Sequence, residues 1–314
     1  MAGAARRPQT AVARWVPLGS LRWSRLEPYL YLLPALAGIG VWVYWPLVST
    51  AELSLYQWNL LPNIPKRPVG LDNYASVLTL PEMGQALINT AIYVAALLPF
   101  SVVFPLSTAI LVANIGGRWH SVYRAVLFLP ELMAPVVVAF VWRWILHPTQ
   151  GVLNAALVGW FGLPPLNVFR DPHQAIWGVV GITAWMLMGF SVLIFSAALT
   201  NVGRDYLQAA EVDGASRWQV IRFILLPLVS PTIVFMTLLT VLLSALWTFP
   251  IVNVLTSGGP FNSTANVYYL LWEFGFHNFN VGFTSAAAVL FFAGFGLLAW
   301  LFICLSDRYS FYDA

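Results

Sequence analysis

Six long apolar stretches restrict the fold of this chain more than any other feature of the sequence. Each is long enough to cross about 30 Å of hydrocarbon as a helix that rises about 1.5 Å per residue. Only 9% of the residues are charged, whereas a soluble domain has about 25%. The sequence therefore predicts an all-α polytopic membrane protein with six transmembrane helices, at 29–49, 88–113, 125–146, 176–199, 229–255 and 284–305.

These stretches leave only short segments at the two ends of the chain. We expect an N-terminal tail at 1–28, a transmembrane domain at 29–305 and a C-terminal tail at 306–314. The first apolar run is too long for the core of a signal peptide, and no small-x-small cleavage site follows it. We therefore expect it to remain as an anchor.

The positions of the basic residues predict the orientation. If the N-terminus is cytoplasmic, the inner segments hold eleven arginines, and the outer side holds only Lys66, Arg67, Arg143 and Arg170. This asymmetry fits the positive-inside rule, so both termini are expected in the cytoplasm. The expected outer loops are 50–87, 147–175 and 256–283, which are rich in Pro, Gly, Asn and aromatic residues.

The composition also excludes several kinds of chemistry. The one lysine, Lys66, follows a proline, so no phosphate-binding GxxxxGK[ST] loop exists. The four histidines are far apart, and the one cysteine, Cys304, excludes an internal disulfide and a multi-cysteine metal site. The basic residues do not form a nucleic-acid patch. We expect a chain in contact with membrane lipid, with no metal or cofactor of its own, that does not hydrolyse ATP.

The segment between the fourth and fifth spans carries the most specific pattern. We expect a short cytoplasmic helix, at about 206–218, and a second helix that leads into the membrane. Gly214 tolerates a positive φ and allows a turn after Asp213, while Pro227 is expected to end or kink the start of span five. Small side chains would let another surface approach the backbone. Periodicity alone favours a different interpretation, an amphipathic connector on lipid headgroups.

This segment resembles the signature of ABC-importer permeases, in which Glu-Ala-Ala is followed by Asp-Gly-Ala and then by Ile-x-Leu-Pro. The matching residues are Ala209, Ala210, Asp213, Gly214, Ala215, Ile224, Leu226 and Pro227. Gln208 stands where the family has Glu, which puts an ion pair with an ATPase in doubt, and Glu211 is the candidate to replace that charge. The segments Gly70-Leu-Asp-Asn-Tyr74 and Thr256-Ser-Gly-Gly-Pro260 are also similar to carbohydrate-type permeases, of the maltose and glycerol-3-phosphate kinds.

The resemblance implies the fold of an ABC type I importer permease in a bacterial inner membrane. It implies a homologous second permease, two ABC ATPase subunits that bind ATP and Mg, and an extracytoplasmic substrate-binding protein. It further implies import of a carbohydrate by alternating access, with glycerol-3-phosphate or a glycerophosphodiester as the alternative substrate. The residues implied in coupling to the ATPases are Gln208, Ala209, Ala210, Glu211, Asp213, Gly214, Ala215 and Pro227.

Polar side chains within the spans are candidates for the substrate pathway, because such groups tend to face a bundle interior. Span five carries Thr237, Thr240, Ser244 and Thr248 at spacings of three and four, next to Trp247. Hydroxyls and an aromatic ring suit a sugar, although such hydroxyls also bond to their own helix. The resemblance to maltose-type permeases implies further pathway positions in spans three and four. Together with the residues of span five, the expected pathway residues are Glu131, Thr183, Met186, Phe190, Ser244, Trp247 and Thr248.

Glu131 is the sharpest single candidate among these residues. We expect it about 9 Å along span three if that helix starts near 125. An ionised carboxylate facing the pathway would repel a phosphate and favour a neutral sugar. The alternative is an interhelical hydrogen bond or a pair with Arg124.

Two other classes of function remain open at this point. An ion-coupled secondary transporter requires a relay of ionisable groups and two repeated halves, but only Glu131 and Glu273 are available and we find no repeat. A membrane-embedded enzyme requires clustered acids or histidines, for which Asp171, His173 and His147 are the best candidates.

Overall fold

The computed structural model describes residues 20–61, 63–113 and 118–306, so most of both predicted tails lies outside the described residues. The described residues belong to two compact units, which are divided between Glu52 and Leu53. The helices are α1 Ser20–Ile39, α2 Trp45–Leu53, α3 Asp72–Thr79, α4 Pro81–Leu98, α5 Phe104–Ala113, α6 Arg118–Phe128, α7 Pro135–Ile145, α8 Val152–Phe161, α9 Pro172–Thr200, α10 Arg204–Val212, α11 Arg217–Val220, α12 Leu226–Leu255, α13 Val267–Trp272 and α14 Val281–Ser306. A short hairpin pairs β1 Tyr56–Gln57 with β2 Arg67–Pro68.

Within these described residues, five helices are long and apolar enough to cross a membrane without a break. They are Tyr29–Leu53, Pro81–Val112, Pro172–Thr200, Arg217–Leu255 and Val281–Cys304. Three of them run through a π-helical turn, at Gly40–Tyr44, Pro99–Val103 and Ile221–Leu225, which joins two α-helical segments. These helices confirm the predicted apolar spans one, two, four, five and six.

The third predicted span differs, because it is broken rather than straight. The segments Ala125–Leu132 and Pro135–Ile145 meet at an angle of 100°. A residue that precedes proline is forced away from the helical region, and Ala134 before Pro135 is extended at φ −59° and ψ 130°. Met133 is also extended. The apolar span predicted at 125–146 is therefore present as two helices separated by a break, not as one straight helix.

The segment that follows α12 inserts into the bundle instead of lying on its surface. Residues 264–267 are completely buried. The side-chain amide of Asn89 in α4 donates to the carbonyl oxygens of Asn262 and Ala265, both at 2.8 Å. The hydroxyl of Tyr93 donates to the carbonyl oxygen of Thr264 at 2.9 Å. Part of the predicted outer loop 256–283 is thus a structural component of the core.

Tyr269 closes the same segment from α13. Its hydroxyl donates to the carbonyl oxygen of Ser257 at 2.8 Å, and its ring lies against Gly258, where φ is +76°. Burial and, to a smaller extent, the negative charge of Glu273 raise the pKa of Tyr269 to about 12. The phenol therefore keeps its proton near neutral pH and remains a hydrogen-bond donor.

Candidate functional site

A cavity of about 460 Å³ lies between the break in the third span, α9 and α12. Besides the predicted residues, its walls are the apolar side chains of Pro135, Leu187, Leu239, Leu243, Leu246 and Pro250. Five of the seven expected pathway residues line it, although they come from three separate segments of the chain. These five are Glu131, Thr183, Met186, Phe190 and Trp247.

Glu131 lies in the 3₁₀ turn Leu129–Leu132 at the break in the third span. The predicted position, about 9 Å along span three, assumed that Glu131 is part of a helix that starts near residue 125. Its side chain is exposed toward the cavity. Among the side chains that the structure describes, none forms a hydrogen bond or ion pair with its carboxylate. The side chain of Arg124, its alternative partner, lies outside the described residues. No lysine or arginine appears among the described residues that line the cavity.

The turn that carries Glu131 is held by close backbone packing. Gly189 of α9 lies against the carbonyl of Leu127 and the Cα of Phe128, and a Cβ at residue 189 would overlap the carbonyl oxygen. Pro130 is buried in the same turn. Because Met186 and Phe190 are also on α9, this contact fixes their distance from Glu131.

Thr183 supplies a hydroxyl to the wall of the cavity. Its side chain is only 3% exposed, and Oγ1 has no hydrogen-bond partner in the described structure. Leaving a buried hydroxyl unpaired costs about 1–3 kcal/mol, so such groups usually meet a partner in some state of the protein.

The structure places Ser244 and Thr248 outside the cavity lining. Both are fully buried. Thr248 Oγ1 donates to the Ser244 carbonyl at 2.9 Å and accepts from Asn266 Nδ2 at 2.8 Å. Thr237 and Thr240 likewise donate to carbonyls of their own helix. These threonines of span five therefore bond to carbonyls of their own helix, and Thr248 also bonds to the inserted loop. Their hydroxyls have a role in packing, the alternative to a role in the substrate pathway.

Two buried asparagines were not identified from the sequence as important residues. Asn266 Nδ2 donates to the Ala245 carbonyl at 2.9 Å as well as to Thr248, and Asn266 Oδ1 accepts from the Tyr269 amide at 2.8 Å. Asn89 holds the other side of the inserted loop. Asn89 lies within a predicted apolar span, and a polar amide in that position was an available signal.

The segment between the fourth and fifth spans forms two helices joined by a tight turn. The predicted helix at 206–218 instead runs from Arg204 to Val212 and ends in a Schellman motif. The Ala215 amide donates to the Ala210 carbonyl at 2.9 Å, and the Gly214 amide donates to the Glu211 carbonyl at 3.1 Å. Gly214 has φ +70°, as the expected turn requires.

The next helix begins at once, because Ser216 caps it. Its hydroxyl accepts from the Gln219 amide, while Gln219 Oε1 accepts from the Ser216 amide at 2.7 Å. This capping box directs α11 into the π-helical turn and α12. Pro227 is half-buried and follows that turn, and the helix continues to Leu255. Of the two effects expected of Pro227, an end or a kink of the helix, the structure excludes the end.

Most of the predicted coupling residues are exposed on this chain. They are Gln208, Ala209, Glu211, Asp213 and Gly214, while Ala215 is half-buried. Ala210 is 5% exposed and packs against its own chain. Large apolar side chains are exposed beside them, including Val212 at 88% and Trp218 at 64%. Exposed apolar side chains grouped in this way are typical of a surface that contacts another protein or a membrane.

Of the residues considered for enzyme chemistry, Asp171 has a structural role. Its carboxylate accepts hydrogen bonds from the His173 amide and the Gln174 side chain, both at 2.8 Å. These bonds cap the first turn of α9, so they account for an acid at this position without catalysis.

Curated relatives align over nearly the entire chain. The probable ABC transporter permease protein YesP of Bacillus subtilis is 31% identical over 300 residues, which cover 94% of this chain and 95% of YesP. The sn-glycerol-3-phosphate transport system permease protein UgpA of Agrobacterium fabrum is 29% identical, with coverage of 85% and 90%. These relatives are transport subunits, and this chain is a transport component rather than an enzyme.

Solved structures share the fold. A chain of a bacterial ABC transporter involved in the import of the acidic polysaccharide alginate superposes with a TM-score of 0.80 at 20% identity, covering 92% of this chain and 99% of that chain. The same type of transporter in complex with an alginate pentasaccharide-bound periplasmic protein gives a TM-score of 0.76. Residues 80–309 match the family model for binding-protein-dependent transport system inner membrane components. The chain therefore belongs to this family, as a multi-pass inner-membrane permease subunit of an ABC importer.

Proposed function

We propose that this chain moves a neutral carbohydrate through the cavity between the broken third span, α9 and α12. An extracytoplasmic binding protein delivers the sugar, a homologous second permease completes the pathway, and two ATPase subunits bind ATP and Mg. The cavity opens to one side of the membrane at a time. Both termini of the chain are cytoplasmic in this arrangement.

The observation that carries the proposal is the chemistry of the cavity wall. Thr183 offers an unpaired hydroxyl, Glu131 offers a carboxylate that accepts hydrogen bonds, and Trp247 offers an aromatic face. Sugar hydroxyls can bond to the Glu131 carboxylate, and an indole ring can cover the apolar face of a sugar. The remaining lining is largely apolar, as is usual in sites for small molecules.

The helix that begins at Arg217 supports a mechanical connection to the ATPases. It continues to Leu255 and carries Leu239, Leu243 and Trp247 into the cavity wall. Trp247 lies 30 residues beyond Arg217, or about 45 Å along the helix. We infer that ATPase closure displaces α10, and that the tight turn at Gly214 passes this displacement to α12 and the cavity.

Glycerol-3-phosphate or a glycerophosphodiester is the second candidate substrate, and the similarity to UgpA favours it. A phosphate group is most strongly bound by arginine or lysine side chains. The described lining of the cavity contains a carboxylate and no such cation. The cavity of this subunit therefore favours the neutral sugar.

The test is a substrate panel on the assembled importer in nanodiscs. The binding protein is loaded with neutral oligosaccharides, with glycerol-3-phosphate or with glycerophosphodiesters, and the stimulation of ATP hydrolysis is measured against the unloaded protein. We expect stimulation by a neutral sugar. Stimulation by phosphate compounds alone would overturn the proposed substrate, and a chain that assembles with no ATPase would overturn the proposed mechanism.

A further inference from the structure

A second cavity of about 460 Å³, here called the hairpin pocket, lies beside the β1–β2 hairpin. Its lining includes six polar, charged or aromatic side chains: Gln57, Trp58, Asn59, Arg67, Asn278 and Asn280. They come from the two predicted outer loops 50–87 and 256–283, which the positive-inside rule places on the extracytoplasmic side. The pocket shares none of its lining with the cavity proposed for the substrate.

The two walls of the hairpin pocket are fixed to each other by the backbone. The Val281 amide donates to the Trp58 carbonyl at 3.1 Å, which joins the second loop to the hairpin. Gly282 lies so close to the Tyr56 carbonyl oxygen that a Cβ there would overlap it. The buried amide of Asn73 donates to that same oxygen at 3.0 Å. The pocket is therefore preformed, which lowers the entropy cost of binding a partner.

The pocket contains one positively charged side chain, Arg67, beside neutral side-chain amides that can donate hydrogen bonds. Arg67 is exposed, and neither its guanidinium nor the side-chain amide of Asn278 has a partner in the part of the chain that the structure describes. The Lys66 ammonium lies 4.8 Å from the centroid of the Trp58 ring. No acidic residue appears in the described lining.

This arrangement favours a carboxylate over a sugar. A guanidinium with neighbouring amides matches the planar geometry of a carboxylate and binds it by charge-assisted hydrogen bonds. The Lys66 ammonium over the Trp58 ring adds a second positive charge beside the pocket, which also favours an anionic group. We propose that the hairpin pocket receives an aspartate or glutamate side chain of the extracytoplasmic binding protein. This inference rests on the proposed function for the presence and side of that partner.

The experiment uses the complete importer in nanodiscs and its substrate-loaded binding protein, with Kd measured by biolayer interferometry at low and high salt. Arg67→Glu should raise Kd about tenfold or more and weaken its dependence on salt. Arg67→Lys should recover part of the affinity. Asn278→Asp adds a negative charge from the opposite wall and should act in the same direction. Arg170→Glu makes the same charge change in another outer loop and should alter Kd less than about twofold.

The possible failures are distinguishable. If the binding protein stimulates the wild-type ATPase but Arg67→Glu and Asn278→Asp bind like Arg170→Glu, the pocket proposal is overturned and the proposed function stands. If these variants keep their Kd but change which sugars are transported, the pocket contacts the substrate and the proposal is also overturned. If the wild-type importer does not bind the loaded protein, both proposals fail.

Discussion

Gly189 of α9 lies directly against the carbonyl oxygen of Leu127, so that the last turn of α6 touches the backbone of its neighbour. This approach is possible because residue 189 has no side chain. It places the break in the third span, and with it Glu131, opposite Met186 and Phe190. A backbone contact in one helix pair thus sets the separation of two of the three walls of the proposed substrate cavity.

A side chain at residue 189 should destabilise the protein. Gly189→Ala would force α6 and α9 apart, and overpacking of this kind costs about 1–3 kcal/mol. We expect a lower melting temperature and less assembled complex after purification. Gly181→Ala is the matched control, since residue 181 is on the same helix and a Cβ there meets no atom within 4 Å. Equal melting temperatures for the two variants would contradict the proposed packing role.

Two substitutions at Gly214 can distinguish the loss of ATPase docking from the effect of backbone strain. A Cβ at residue 214 meets no atom of this chain within 4 Å, but φ is +70°. Asparagine tolerates this conformation better than alanine, yet its side chain is larger. If an ATPase surface packs on the turn, Gly214→Asn should reduce substrate-stimulated ATP hydrolysis more than Gly214→Ala, with normal assembly. The opposite order would indicate that strain alone explains the effect.

Much of the fold could be predicted because its signals are local. The length of the apolar runs located the spans, and the Asp213-Gly214 pair located the turn after α10. The break in the third span also has a local signal, since Pro135 forces Ala134 out of the helical conformation. Because the residues on both sides of this proline are apolar, the hydropathy pattern predicts one uninterrupted span and does not indicate the break.

The rest depends on contacts between distant residues. The inserted loop is held by Asn89, which precedes Ala265 by 176 positions, and no local pattern indicates that pairing. The direction in which the hydroxyls of span five point also depends on distant residues and has no local signal. Spacing places Thr248 and Trp247 together, but only the packing of Asn266 shows that the threonine faces the loop and not the cavity.

Asn266 should be necessary for stability. Replacing it with alanine leaves the Tyr269 amide without its side-chain acceptor and removes one donor each from the Ala245 carbonyl and Thr248 Oγ1, in a fully buried site. Each unpaired group costs about 1–3 kcal/mol. We expect Asn266→Ala to lower the melting temperature and the yield of assembled complex, whereas Asn167→Ala, at an exposed position, should change neither. A stable Asn266→Ala complex would show that the loop is held by other contacts.

Trp247 should affect transport without affecting assembly. It is half-buried in the cavity wall, so Trp247→Ala removes an aromatic face where we place the sugar. We expect an increase of about tenfold in the KM for uptake, with unchanged complex yield. Trp300→Ala, which removes a tryptophan that is 60% exposed on α14, is the control. Equal KM values for both variants would remove Trp247 from the pathway.

Glu131 should influence which substrates are accepted. Glu131→Gln keeps the size of the side chain and removes the charge that disfavours phosphate. We expect the variant to accept glycerophosphodiesters better relative to neutral sugars, in competition assays of uptake. Glu82→Gln removes a carboxylate outside the cavity lining and should leave that preference unchanged. Loss of the assembled Glu131→Gln complex would instead indicate a structural pairing of this carboxylate.

The most direct test of the account is uptake of a labelled neutral oligosaccharide by proteoliposomes that contain the complete importer. We predict accumulation that requires ATP and the loaded binding protein, and that stops when the ATPase subunits are omitted. Accumulation by the permease subunits alone, driven by an ion gradient, would contradict the account.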